Sequence, residues 1–112
     1  MRNDEDGDCV YIQVITTIDE KRKADEIAEE MVKKGLAACV QISGPIESTY
    51  EWKDQIEKSE EWVCLLKSKK GRYDELEEAI KEIHTYENPE IIAQAVTDGS
   101  REYLDWIDGK VG

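Results

Sequence analysis

Blocks of apolar and polar residues follow one another along the chain, and each block has the period of one secondary-structure element. Residues 10–17 are mostly β-branched and contain no Gly or Pro, which predicts a strand buried on both faces. The next block predicts an amphipathic helix, with its apolar stripe at Ala24, Ile27, Ala28, Met31 and Val32. We expect Asp19 to cap this helix, Glu20 to lie in its first turn and Gly35 to end it.

A long two-stranded hairpin is predicted in the middle of the chain. Residues 36–42 form one strand, which Ser43-Gly44-Pro45 interrupts as a bend or bulge. The strand resumes over residues 46–52 with the alternation of a strand that is exposed on one face. Residues 53–55 then form the tip, and the return strand runs over residues 56–67.

The last third of the chain predicts a helix, a strand and a short helix. The first helix follows Gly71 and has its apolar residues at Tyr73, Leu76, Ile80 and Ile83. Residues 84–89 form a loop before a strand over residues 90–96, and the closing helix lies around residues 103–107. The order βαββαβ predicts an α+β, ferredoxin-like fold with an antiparallel four-stranded sheet, two helices on one face and an additional C-terminal helix. We assign residues 9–112 to this single domain.

The central hairpin is longer than two short helices can cover. Each arm has about fifteen residues, which span roughly 50 Å when extended. Its outer part still carries large apolar side chains, at Ile46, Tyr50, Trp52, Ile56 and Trp62. Since an uncovered aromatic ribbon aggregates unless another chain completes it, the pattern predicts an obligate homo-oligomer whose hairpins pair with neighbouring subunits.

The composition is that of a charge-rich globular protein. Of 112 residues, 38% are charged, 39% are apolar or aromatic, and the formal net charge is −12. This charge argues against nucleic acid and anionic membranes as partners, because phosphate binding needs surface cations. The longest apolar runs have five residues, so we expect no membrane insertion. Residues 1–8 are acidic without an apolar stretch, so we expect a disordered tail, no signal peptide and a cytoplasmic location.

Few residues are suited to catalysis. The three cysteines, Cys9, Cys39 and Cys64, have no C-x-x-C spacing, and we expect them to be free thiols. His84 is the only histidine, so any Ser–His or Cys–His pair depends on it, and the sequence has no nucleophile-elbow motif or phosphate-binding glycine loop. We therefore expect that the protein is not an enzyme.

Five separated blocks of the chain carry a family resemblance. They are Gly35-Leu36-Ala37-Ala38-Cys39-Val40, Ser48-Thr49-Tyr50-Glu51-Trp52, Glu61 with Leu66-Lys67-Ser68, His84-Thr85-Tyr86-Glu87-Asn88-Pro89-Glu90-Ile91, and Gly99-Ser100-Arg101-Glu102-Tyr103-Leu104-Asp105-Trp106-Ile107. In order and position these blocks resemble the CutA divalent-cation tolerance proteins, over residues 10–108. The resemblance implies a ferredoxin-like homotrimer in which each hairpin packs against the next subunit.

The chain departs from that family's pattern at several positions. Thr85 stands where the family usually has proline, and Asp54 stands where its hairpin tip usually has glycine. The copper ligands proposed for some bacterial members correspond to Thr16, Ile83 and His84, so only His84 keeps a ligating side chain. The resemblance therefore does not imply a complete copper site.

Candidate site residues fall into three sets. As metal ligands we single out His84 and Cys39, although His84 also suits the negative pole of a helix end and Cys39 suits close packing. For the cleft between subunits we expect Trp52, Glu61, Lys67, Tyr86 and Glu90. Glu61 and Lys67 lie six residues apart on one strand, hence on one face. For the trimer interface we expect Tyr50, Trp52 and Trp62.

Two hypotheses on function follow. The first is a non-enzymatic homotrimer associated with divalent-cation tolerance, which binds Cu²⁺ or another divalent cation weakly at the clefts between subunits and does not need it for folding. The second is a signalling or scaffold trimer similar to the nitrogen-regulatory PII proteins, which holds a small anionic effector between subunits; it rests on analogy of fold alone.

Overall fold

The predicted order of elements is confirmed in the computed structural model, which describes residues 10–112. The elements are β1 (Tyr11–Ile18), α1 (Lys21–Lys33), β2 (Cys39–Trp52), β3 (Gln55–Lys69), a 3-10 turn (Lys70–Arg72), α2 (Tyr73–Ile83), β4 (Ile91–Ala95) and α3 (Arg101–Lys110). The predicted acidic tail over residues 1–8, together with Cys9, lies outside the described residues.

The four strands form one sheet in the order β2-β3-β1-β4, and every neighbouring pair is antiparallel. β1 therefore lies inside the sheet, where Val14 pairs with Leu66 of β3 on one side and with Ala93 of β4 on the other. This arrangement confirms the predicted α+β, ferredoxin-like fold.

The core has two parts on opposite faces of the sheet. Ile12, Val14 and Ile18 of β1 pack with Leu66 of β3 and with the apolar stripes of α1 and α2. Tyr11, the neighbour of Ile12, points to the other face, where it packs with Leu104, Ile107 and Val111 around α3. The prediction that β1 is buried on both faces is thus confirmed.

The start of α1 differs from the prediction and its end agrees with it. The N-cap residue is Glu20, which is extended and makes no side-chain cap bond. The first turn contains no acidic residue. The prediction of an Asp19 cap with Glu20 in the first turn was therefore wrong. The backbone carbonyl of Glu20 accepts from the amides of Lys23 and Ala24 instead. At the other end Gly35 adopts φ +69°, in the left-handed region that glycine tolerates.

The hairpin of β2 and β3 contains the predicted interruption and a tighter tip than predicted. The register shifts between Ser43 and Ile46, so a bulge lies at Gly44. The tip is formed by Lys53 and Asp54 alone, both with positive φ, as in the two-residue turns that connect twisted strands. β2 begins at Cys39 rather than at Leu36, because the amides of Leu36 and Ala37 donate to the carbonyl of Met31 and finish α1.

Large apolar side chains remain exposed on the outer half of the hairpin. Tyr50, Trp52 and Ile56 are 44%, 49% and 72% exposed, and Ile46 is also exposed. The described chain measures 46 Å along its longest axis. None of the helices within residues 10–112 is long and apolar enough to span a bilayer.

Candidate functional site

A cleft of about 1010 Å³ lies between the outer half of the hairpin, the end of β1 and the loop that follows α2. The hairpin contributes residues 48–52 of β2 and alternate residues of β3, the end of β1 contributes Thr17, and the loop contributes Tyr86. The full lining is Thr17, Asp19, Ser48, Thr49, Tyr50, Glu51, Trp52, Glu57, Ser59, Glu61, Tyr86, Glu87, Asn88 and Glu90.

Glu61 is the buried carboxylate of this cleft, with 6% of its surface exposed. Its Oε1 accepts a hydrogen bond of 2.6 Å from the Ser48 hydroxyl, and its Oε2 accepts one of 2.6 Å from the Tyr86 hydroxyl. Ile46 is the cross-strand partner of Glu61, so Ser48 is its diagonal neighbour on the same face. Buried carboxylates are costly unless they are hydrogen-bonded, and here each oxygen has a donor.

His84 contacts Tyr86 and connects two walls of the cleft, the end of β1 and the loop after α2. Its Nε2 is 2.7 Å from the backbone carbonyl of Thr17, and its Nδ1 accepts from the backbone amide of Tyr86 at 3.1 Å. A carbonyl only accepts and an amide only donates, so the ring is the neutral tautomer with hydrogen on Nε2. The His84 and Tyr86 rings also meet edge to face, with centroids 4.7 Å apart.

Burial shifts the pKa values of both rings. It lowers the pKa of His84 below its ordinary 6.5, and this effect exceeds the opposing influence of the Thr17 hydrogen bond and of the Asp19 and Glu61 charges. Burial, followed by the hydrogen bond to Glu61, raises the pKa of Tyr86 far above 10. At neutral pH the Tyr86 hydroxyl therefore keeps its proton and serves as a donor.

The cleft is acidic throughout. Its lining contains six carboxylates and no Lys or Arg; the acidic residues are Asp19, Glu51, Glu57, Glu61, Glu87 and Glu90. Charges of one sign around a concave surface add to the local potential. The cleft therefore attracts cations and repels anions.

Four of the five residues predicted for a cleft between subunits line this cleft of the single chain. Trp52, Glu61, Tyr86 and Glu90 all line it. Lys67 does not, because it lies six positions from Glu61 along β3, a distance of about 20 Å along the strand. The Lys67 ammonium donates to the Gln41 side chain at 2.9 Å instead.

The two predicted metal ligands are far apart in the fold. Cys39 is half-buried at the start of β2, opposite Lys67, whereas His84 follows α2 and has both ring nitrogens in hydrogen bonds to the backbone. Within residues 10–112 no three His, Cys, Asp or Glu side chains come together as a metal-binding group. Cys64 is fully buried, and burial raises the pKa of its thiol to about 11.

The residues predicted for an interface differ in their surroundings. Tyr50 and Trp52 are exposed on the hairpin; the Tyr50 hydroxyl bonds to the Ser59 hydroxyl at 2.7 Å, and the Lys53 ammonium lies 5.9 Å from the Trp52 ring centroid. Trp62 instead packs against the core between the sheet and α1 and α2.

The sequence-based reasoning missed Ser48, Thr17 and Asp19 as parts of the site. Ser48 had a detectable signal, because residues 46, 48, 50 and 52 alternate on the face of the hairpin that also carries Glu61. Thr17 and Asp19 had none, since only the sheet order places the end of β1 beside the loop after α2.

The chain has an antiparallel ferredoxin-like sheet, an extended hairpin and an acidic cleft. It is therefore a small α+β protein of the ferredoxin-like class. The family model described as CutA1 divalent ion tolerance protein matches residues 12–110. The chain belongs to this family, and the resemblance inferred from the sequence is confirmed.

Individual relatives extend over most of the chain. The divalent-cation tolerance protein CutA of Thermus thermophilus is 35% identical over 99 residues, which cover 88% of this chain and 96% of that protein. The chloroplastic protein CutA of Arabidopsis thaliana is 34% identical over 96 residues, which cover 86% of this chain and 53% of that protein, so this chain spans about half the length of that relative. The solved structure of the periplasmic divalent cation tolerance protein CutA from Archaeoglobus fulgidus matches with a TM-score of 0.88 at 33% identity, covering 91% of this chain and 99% of that chain.

Proposed function

We propose that the chain is a non-enzymatic homotrimer with a role in divalent-cation tolerance, and that it binds Cu²⁺ or a similar divalent cation weakly at clefts between its subunits. The family name supports the relation to divalent cations. The observation that carries the cation-binding part is the cleft lined by six carboxylates and no Lys or Arg.

The hairpin supports the trimer. Its outer half exposes Ile46, Tyr50, Trp52 and Ile56, and this apolar surface adjoins the acidic cleft, since Tyr50 and Trp52 belong to both. Exposed apolar patches of this kind are usually covered by another chain. A neighbouring subunit that covers the hairpin would therefore also border the cleft.

The donor set of one chain supports weak rather than tight binding. Within residues 10–112 no metal-binding group of three ligating side chains exists, and the oxygens of Glu61 are already hydrogen-bonded. A cation at the cleft would therefore be held by the potential of the carboxylates and by ligands from a second copy. Carboxylate sites of low specificity prefer Cu²⁺ among the first-row divalent ions. Both core clusters consist of apolar side chains, with Cys64 as the one thiol, which supports a fold that does not depend on the cation.

The alternative, a small anionic effector, has less support. Lys67 was the cation that would have received it, and Lys67 lies outside the cleft in the single chain. An anion in this cleft would meet six carboxylates with no counter-charge.

A cytoplasmic location is part of the proposal. It is supported by Cys39 and Cys64, which are both free thiols, because thiols persist in reducing compartments. Relatives carry the words chloroplastic and periplasmic in their names, so the location requires its own measurement, by fractionation of cells that express the tagged chain.

Calorimetric titration with CuCl₂, ZnCl₂ and sodium citrate tests the site, and light scattering after size-exclusion chromatography tests the trimer. We expect heat with Cu²⁺, less with Zn²⁺ and none with citrate. Glu90→Gln, in the cleft, should weaken Cu²⁺ binding, whereas Glu29→Gln, an exposed position on α1 with the same charge change, should not. Equal effects of the two variants, or binding of citrate alone, would contradict the proposed site, and a 12.9 kDa monomer at micromolar concentration would contradict the trimer.

A further inference from the structure

The single histidine of the chain joins two segments that are distant in sequence. Its Nε2–H donates to Thr17 at the end of β1, and its Nδ1 accepts from Tyr86 in the loop after α2. In the neutral ring one nitrogen donates and the other accepts, so both are used. A metal ion could bind His84 only after one of these hydrogen bonds is broken.

We propose that His84 is a positioning residue that holds Tyr86 against Glu61, and not a cation ligand. The inference rests on the proposed function only in taking this cleft as the functional site. Three contacts act in sequence: the imidazole fixes the backbone of Tyr86 through its amide, the ring edge supports the phenol ring with centroids 4.7 Å apart, and the phenol hydroxyl donates to Glu61 at 2.6 Å.

This assignment explains why the histidine lies behind the cleft wall. Tyr86 and Thr17 line the cleft, but His84 does not. Its Nδ1 lone pair points to the Tyr86 amide and its Nε2–H to the Thr17 carbonyl, so no free donor atom of the ring faces the cleft. The ring thereby fixes the distance between the end of β1 and the loop, and the loop holds the Tyr86 hydroxyl that donates to Glu61.

Two substitutions separate positioning from ligation. His84→Asn removes the imidazole but keeps a side-chain oxygen at the δ position, which can accept from the Tyr86 amide. His84→Ala removes both the imidazole and the acceptor. A ligand role predicts that both variants lose Cu²⁺ affinity equally, whereas a positioning role predicts that His84→Asn retains most of what His84→Ala loses.

The first measurement is the rate of amide hydrogen exchange at Tyr86, which NMR detects on the full chain without added metal. We expect exchange to accelerate about five-fold or more in His84→Ala and to stay within about two-fold of the parent in His84→Asn, in line with the loss of one hydrogen bond. Unchanged exchange in His84→Ala would overturn the proposal. Because no cation is present, this result is independent of whether the cleft binds one.

The second measurement needs no variant, so it holds even if His84→Ala does not fold. The chain has one histidine, so a ¹⁵N spectrum of imidazole contains a single pair of ring nitrogens. We expect Nδ1 without hydrogen and Nε2 with hydrogen at pH 8, and no change of either signal on addition of ZnCl₂. A shift of either nitrogen with saturating Zn²⁺, or equal loss of Cu²⁺ affinity in both variants, would identify a ligand instead and refute the positioning role.

Discussion

Replacing Tyr86 by Phe removes one oxygen atom and, with it, one of the two donors to a buried carboxylate. Tyr86→Phe keeps the ring and its edge contact with His84, so the buried apolar surface is unchanged. The lost bond is 2.6 Å long and ends on Glu61, which is 6% exposed. Hydrogen bonds to charged groups contribute about 1.5–3 kcal/mol, and water has little access to replace this one. With Ser48 still donating, we expect the free energy of unfolding to fall by about 2 kcal/mol.

The hairpin supplies a matched control. Tyr50→Phe is the same chemical change and removes a hydrogen bond of 2.7 Å, but that bond joins two hydroxyls, and Tyr50 is 44% exposed. A bond between two uncharged groups contributes less than a bond to a carboxylate, whether or not a neighbouring subunit covers Tyr50, so we expect a loss of about 1 kcal/mol or less.

Urea unfolding, followed by tryptophan fluorescence at one protein concentration, measures both variants under the same association equilibrium. A difference between Tyr86→Phe and Tyr50→Phe of less than about 0.5 kcal/mol would refute the reasoning that burial of Glu61 sets the value of its donors.

Three further predictions concern the bulge, the core and pH. In Gly44→Ala the added Cβ would lie 2.8 Å from Trp62 Cδ1 at φ +150°, so we expect a loss of about 2 kcal/mol or more in the same urea assay; a neutral result would contradict the bulge geometry. Thr16 is fully buried and its hydroxyl has no partner within the described part of the chain, so Thr16→Val should raise the melting temperature, and a decrease would show that the hydroxyl is satisfied. The folded state lowers the pKa of His84 below 6.5, so the unfolded chain binds the proton more tightly and stability should fall as the pH drops through that value. His84→Asn should remove this component of the pH dependence in urea titrations between pH 5 and 8, and an identical slope would exclude His84 as its source.

The sequence predicted the helix end and the strand interruption correctly where the backbone conformation depends on the local residue type. Gly35 was expected to end α1 and adopts the left-handed conformation there, and Gly44 was expected to interrupt β2 and lies at the bulge. Both positions depend on backbone freedom, which glycine provides irrespective of what packs around it. The error at the start of α1 is also local. Asp19 and Glu20 are adjacent acidic residues, and their types alone do not show which of them is the N-cap.

The candidate site was predicted in part. The alternation of residues along a strand predicts which side chains share a face of the sheet, but it does not predict which of them contact each other. The alternation of β3 correctly assigns Glu61 and Lys67 to one face of the sheet. It does not bring them together, since a strand rises about 3.3 Å per residue. Glu61 and Tyr86 were both expected at a cleft between subunits, but only the fold shows that the Tyr86 hydroxyl bonds to Glu61 across 25 positions of sequence.

The amino-acid sequence by itself determined the order of strands and helices, the position of the bulge and the family, because periodicity, glycine and short motifs act over neighbouring residues. The tertiary structure alone decided which groups the single histidine contacts. Its two hydrogen-bond partners come from segments 67 and 2 positions away, and only the antiparallel sheet brings the end of β1 beside the loop after α2. From the sequence His84 was a candidate metal ligand. In the folded chain both of its ring nitrogens are already in hydrogen bonds to the backbone.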